Sequence, residues 1–265
     1  MPTQSLLVRP LTVFITGASS GIGAALARNY ARQGVTLGLV ARRLEVLENL
    51  SLELNTISMC YGADVRDAAA LAAAAEQFIT LYGVPDIVIA CAGVSSGTLT
   101  QYAEDTATFK AVMDINVLGL VHTFQPFIAA MQAQKRGQLV GIASVAGIRG
   151  LPGAGAYSAS KAAAIGFLES LRVELALDRV VVTTIAPGYI RTPMTDINPY
   201  KMPFLMDANL AAAKFAKAIQ HKRRFVVIPW QMGVLARLMR FIPPFLWDFV
   251  MKNAPKKARM HWDWL

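Results

Sequence analysis

Charge is scarce in this chain. Asp, Glu, Lys and Arg make up 16% of its 265 residues, against 54% apolar residues, which excludes a self-repelling disordered polypeptide and leaves material for a core buried on several sides. Cysteine is scarcer still: Cys60 and Cys91 lie in apolar surroundings and lack a C-x-x-C partner. That argues against a disulfide framework and for a reducing, cytoplasmic compartment. The three histidines are scattered, so nothing has metal-ligand spacing and no metal is expected. The first ten residues hold Arg9 but no apolar stretch leading to a small-residue cleavage site, so no secretory signal is expected. Linkers rich in Gly, Ser or Pro and internal repeats are also lacking, which points to one domain over residues 1–265.

The charge that is present is unevenly placed. Between residues 214 and 259, eleven Lys or Arg stand against the single acid Asp248, so the net charge of +9 resides there and the rest of the chain is close to neutral. Such a region suits nucleic acid or an anionic membrane surface, and it also describes an ordinary solvated face. Nucleic acid is not expected, because the cations alternate with Trp, Phe and Pro in an apolar context and no binding motif accompanies them.

Residues 11–16 read as a short buried strand, followed at once by T-G-A-S-S-G-I-G over residues 16–23. Ile22, Leu26, Ala27 and Tyr30 then recur at helical spacing. Strand, glycines and helix are the context of a phosphate site, in which glycines admit the backbone and the helix N-terminus offers free N–H groups to an anion. Gly17, Ser19, Ser20, Gly21, Ile22 and Gly23 are therefore candidate cofactor residues. A second strand over 35–41 ends at Arg42-Arg43, about where a dinucleotide fold reads the adenosine ribose. No acid precedes Glu45, and two guanidiniums suit a 2′-phosphate; the plainer alternative is that they solvate a helix start. Further strands are expected before Asp64 and over 86–90, 138–142, 180–185 and 225–228. Asp67 is a candidate N-cap, and a long helix over 113–131 is expected to be interrupted by Pro126. Strands alternating with helices at this spacing imply a Rossmann-type, doubly wound, mostly parallel seven-stranded α/β sheet, with ligands beyond the strand C-termini.

Tyr157 and Lys161 follow a small-residue run, 153–156, and sit four apart on an expected helix, so their side chains share a face. An ammonium beside a phenol favours the phenolate and lowers a pKa that starts near ~10. Ser144, at the end of the fifth strand, would deliver its hydroxyl to the same place.

Taken together these motifs closely resemble the short-chain dehydrogenase/reductases. The glycine loop looks like the family's T-G-x-x-x-G-x-G, Asp64-Val65 like its adenine-contacting pair and Asn116 like its helix-borne catalytic Asn. Ser144 with Y-S-A-S-K at 157–161 looks like its Ser and Y-x-x-x-K, and P-G-Y-I-R-T at 187–192 like its P-G-x-I-x-T. Cys91-Ala92-Gly93 stands where the family has N-A-G, so the Asn that ties that turn is missing. Ser20 is not the basic residue of one NADP-using branch, whereas Arg42 matches the branch whose arginine follows the second strand. The resemblance implies NADP(H) bound by the glycine loop, Arg42, Arg43, Asp64, Val65, Ala92, Gly93, Tyr157, Lys161, Pro187, Gly188, Ile190 and Thr192. It implies Tyr157 as general acid, Lys161 depressing its pKa and binding the nicotinamide ribose, Ser144 on the substrate carbonyl, and Asn116 holding a water that joins Lys161 to solvent. It also implies a homo-oligomer, dimer or tetramer. The alternatives are an NAD-linked alcohol dehydrogenase of the same fold and a nonenzymatic nucleotide-binding protein.

Two stretches bear on the substrate. Residues 189–210 fall where the family keeps its substrate-covering segment and carry Pro193, Met194, Met202, Phe204, Leu205 and Met206, an adaptable apolar set suited to a hydrophobic carbonyl or alcohol. Residues 229–265 form a basic, apolar C-terminal extension. Pro229, Arg237, Arg240, Pro243, Pro244 and Asp248 leave no uninterrupted run long enough to span a bilayer. Val234, Leu235, Leu238 and Phe241 with Arg237 and Arg240 instead describe an amphipathic helix, for which peripheral membrane contact, a lid and a subunit interface are competing readings.

Overall fold

Runs of β-branched and large apolar residues become seven strands: β1 (Thr12–Thr16), β2 (Thr36–Ala41), β3 (Ser58–Gly62), β4 (Ile87–Ala90), β5 (Gln138–Ile142), β6 (Val181–Pro187) and β7 (Phe225–Ile228). All neighbours pair in parallel, in the order β3-β2-β1-β4-β5-β6-β7. The computed structural model describes residues 10–198, 200–260 and 262. The expectation for the first ten residues falls, apart from Pro10, outside that set, as does the end of the C-terminal extension.

The helices are α1 (Gly21–Ala31), α2 (Leu44–Glu53), α3 (Ala68–Tyr82), α4 (Asp105–Met113), α5 (Gly119–Ala133), α6 (Gly155–Glu174), the single turn α7 (Pro193–Asp196), α8 (Ala208–Gln220), α9 (Trp230–Phe241) and α10 (Pro244–Met251). Strand alternation divides the core in two. Val13 and Ile15 pack with Leu26, Tyr30, Leu47, Phe215 and Ile219 on the face covered by α1, α2 and α8. Phe14 points the other way, into Phe78, Phe124, Phe127 and Leu168 from α3, α5 and α6. Because both faces are covered, the strands read as continuous apolar runs. Asp67 caps α3 as expected, its side chain accepting from the Ala70 N–H at 3.0 Å.

α4 and α5 are one rod joined by a π turn, Asp114–Leu118. Pro126 does not break it: one backbone donor is forfeited, while the fully buried rings of Phe124 and Phe127 on either side hold the rod in the core. At 29 residues this rod is long and apolar enough to cross a membrane by composition alone, but its inner side is core. The chain leaves β1 toward β2 and β3, then returns to place β4 on the opposite side of β1. The crevice at that reversal is where an open parallel sheet binds ligands.

Candidate active site

The loop after β1 lies in that crevice. Gly17 has φ +72°, and a Cβ there would stand 2.6 Å from the backbone N and Cα of Ala92, so only glycine lets the loop lie against the turn after β4. Ser20 begins α1 without a side-chain cap bond, and the first turn of α1 carries no acid. The N–H groups of that turn and the positive end of the helix dipole are thus left for an anion. A cleft of about 350 Å³ opens here, lined by every candidate cofactor residue from Gly17 through Thr192, with Ser144, Tyr157 and Lys161 in its wall. Arg42 and Arg43 are exposed at the end of β2. Burial pushes the nearby Asp64 carboxyl up, but Arg66, bonded to it at 2.8 Å, and the charge of Arg42 outweigh that and hold it below its usual range. The residues present therefore fit a dinucleotide phosphate and cationic contacts to its adenosine end.

Ser144 caps a short turn after β5, its Oγ accepting from the Ala146 N–H at 3.1 Å, which leaves its own proton free on the side of the Tyr157 phenol, whose pKa it lowers. Lys161 is 5% exposed. Its Nζ donates to the Ile142 carbonyl at 2.9 Å and lies 5.8 Å from the centre of the Tyr157 ring. Here the expected lowering of the phenol pKa is corrected. Burial pushes the Tyr157 pKa up, the Ser144 bond only partly offsets this, and the Lys161 charge is not among the causes. The helical spacing does put both side chains on one face, and the ammonium donates to the carbonyl at the end of β5. Burial in turn lowers the Lys161 pKa to about 8, the neighbouring Cys91 opposing slightly. The Cys91 thiol is itself pushed up to about 12 by burial, against the Lys161 charge.

Asn116 does not line the cleft. The π turn sets it behind Gly93, where a Cβ would lie 3.2 Å from its Oδ1 and 3.5 Å from Lys161 Nζ. Its Oδ1 accepts from the Val94 N–H at 2.9 Å, and its Nδ2 donates to the Val94 carbonyl and to Ser160 Oγ, each at 3.0 Å. The turn that lacks its own Asn at Cys91 is therefore clasped from outside, and both Asn116 donors are engaged.

On the far wall, Thr192 and Thr195 form a capping box at α7, and Thr195 Oγ1 donates to the Ile190 carbonyl at 2.7 Å. Residues 189–210 close on themselves: Met206 N–H donates to the Tyr189 carbonyl and Arg191 N–H to that of Met206. Pro193 and Met194 reach the cleft, whereas Met202, Phe204, Leu205 and Met206 are not in its wall. Sequence reasoning missed Ile142 and Thr195. The first acts through a backbone carbonyl and leaves no side-chain signal; the second was open to detection as T-x-x-T.

The C-terminal extension begins against the cleft, since Met232 packs on Gly188, where a Cβ would meet its Cγ at 2.6 Å. Arg149, five residues beyond Ser144, donates to the carbonyls of Met239 at 2.5 Å and Ile242 at 2.7 Å and lies over the Trp247 ring at 4.6 Å. The chain then returns along the loop after β4. Gly97 N–H donates to the Ala258 carbonyl at 2.9 Å, and Arg259 pairs with Asp105 and Glu104, each at 2.9 Å.

A parallel sheet with a glycine-rich anion cradle at its switch point and a Ser, Tyr and Lys in the same cleft defines a dinucleotide-binding oxidoreductase framework. Residues 11–201 match the short chain dehydrogenase family. An uncharacterized oxidoreductase of Myxococcus xanthus is 38% identical over 240 residues, covering 89% of this chain and 94% of that protein. Dehydrogenase/reductase SDR family member 7B of Bos taurus is 33% identical over 276 residues, 95% of this chain and 83% of that one. Among solved structures, a levodione reductase superposes with a TM-score of 0.76 at 26% identity, over 84% of this chain and 98% of its own. The chain belongs to the short-chain dehydrogenase/reductase family, whose oxidoreductases use nicotinamide cofactors.

Proposed function

We propose that the protein is an NADP(H)-dependent oxidoreductase acting between a carbonyl and a secondary alcohol on a hydrophobic or lipid-like substrate. The observation that carries this reading is the Tyr157 phenol, kept protonated by burial, in the same cleft as Ser144, Lys161, an uncapped helix N-terminus and two exposed arginines. A nicotinamide dinucleotide held along that cleft supplies the hydride. Tyr157, protonated at neutral pH, donates a proton to the carbonyl oxygen as general acid. Ser144 hydrogen-bonds the same oxygen and stabilises charge developing there. Lys161, cationic below about pH 8, binds the ribose hydroxyls and lends positive charge to the floor of the site. Asn116 serves as a positioning residue, holding Val94 and Ser160 beside Lys161.

Arg42 and Arg43, with no acid before Glu45, favour a 2′-phosphate over a free ribose diol. Pro193 and Met194 in the cleft wall favour an apolar substrate. Assembly as a dimer or tetramer through the helices carrying Asn116 and Tyr157, and a cytoplasmic site of action, complete the reading.

The test is NADPH oxidation against ketones graded by chain length and ring number, repeated with NADH. The expected result is turnover that improves with apolar size and tighter binding of NADPH. Tighter binding of NADH would sink the role given to Arg42. If no ketone supports NADPH oxidation and no matching alcohol supports NADP⁺ reduction, the reading itself fails.

A further inference from the structure

We propose that the outward side of α9 and α10 seats the protein on an anionic lipid bilayer. The two helices form an inverted amphipathic unit. The side of α9 that packs on the body is made of Met232, Gly233 and Ala236, whereas the side facing outward carries Trp230, Val234, Leu238 and Phe241, the last 83% exposed. None of the eight residues of α10 is buried, although its sequence is P-F-L-W-D-F-V-M. Phe245 and Phe249, one turn apart, are 76% and 68% exposed. A monomeric soluble protein rarely leaves so many large apolar side chains exposed on two successive helices.

Charge selects the occupant. Arg237 and Arg240 on α9, the latter also donating to the Ile148 carbonyl at 3.0 Å, and Lys252 at the C-terminal cap of α10 are exposed against one acid, Asp248, and Lys252 Nζ lies 4.8 Å over the Phe249 ring, in the way a cation caps an aromatic at a headgroup boundary. A second copy docked here would bring one basic region onto another, with Asp248 alone to relieve the repulsion. An anionic bilayer offers the opposite charge and an apolar interior together. The helices, of 12 and 8 residues, are too short to span a bilayer and instead lie along its surface. The unit is rigidly mounted through Arg149, whose guanidinium holds the C-terminal carbonyls of α9, and through Met232 on Gly188. Gly188 belongs to the wall of the cleft, so seating this side on a membrane brings that wall toward the bilayer. The proposal stands on this surface alone and does not depend on the oxidoreductase reading.

The experiment is co-sedimentation of the full chain with vesicles of phosphatidylcholine, with and without phosphatidylglycerol, at low and high salt. Intrinsic Trp fluorescence is read in parallel. The expected result is binding to the anionic vesicles at low salt, weakened by salt, with a blue shift from Trp230. The double variant F241S/F249S should lose about tenfold or more of the partitioning, and R237E/K252E a comparable factor, with circular dichroism and melting unchanged. Lack of binding to anionic vesicles at low salt would overturn the proposal, as would equal binding to neutral ones. So would an oligomer in solution that F241S/F249S dissociates, because the face would then be covered by another copy.

Discussion

Replacing Asn116 with Ala removes three hydrogen bonds at once: two to the backbone of Val94 and one to Ser160. Ser160 Oγ keeps its bond to the Tyr157 carbonyl at 2.8 Å, so the cost concentrates on the N–H and C=O of Val94. Leaving a buried backbone group unpaired costs about 1–3 kcal/mol. Val94 is half-buried, and water recovers part of that. We therefore expect a loss of about 2–4 kcal/mol, a large share of a stability that is about 5–15 kcal/mol for a typical domain. Urea unfolding measures the total, and hydrogen exchange at the Val94 amide localises it. A total below about 1 kcal/mol, or unchanged exchange at Val94, would refute the claim that Asn116 clasps the turn after β4.

Lys161→Met separates the buried ammonium from its surroundings. Burial lowers the Lys161 pKa from 10.5 to about 8, so between those values the unfolded chain binds more protons and the parent gains stability as pH rises. Relative to Lys161→Met, the parent should gain about 3 kcal/mol between pH 7 and pH 10.5, read as the difference in denaturation free energies; a flat difference would contradict the burial. Gly17→Val forces a Cβ to 2.6 Å from the Ala92 backbone at φ +72°, and it should cost about 2 kcal/mol or more while weakening NADPH binding at least about tenfold. Native stability in that variant would show that loop and turn are not in contact.

The strands were legible because a sheet covered on both faces writes itself as uninterrupted apolar runs, and each expected strand was found within a residue or two of its place. The glycine loop, Arg42 and the Tyr157–Lys161 spacing were legible because they are local, and the structure brings them to one cleft. What escaped was non-local. The Lys161 ammonium is claimed by a carbonyl on β5, which no spacing reveals, and burial moves the phenol pKa opposite to the expectation. Asn116 was marked as a candidate catalytic residue, but its place in a π turn and its bonds to Val94 and Ser160 left no local signal. Arg259 pairs with Asp105 across 154 residues, and nothing in the basic tail announced that it would dock on the loop after β4. Pro126 illustrates the converse, a local signal overridden by burial of the rings on either side of it.

The central claim is proton transfer by Tyr157, and Tyr157→Phe tests it most directly. With a ketone that the parent reduces, kcat should fall by about 10²–10⁴, while the Kd for NADPH, read by fluorescence, stays within about twofold because the phenol contributes little to holding the dinucleotide. Near-native turnover in the Phe variant would contradict the account.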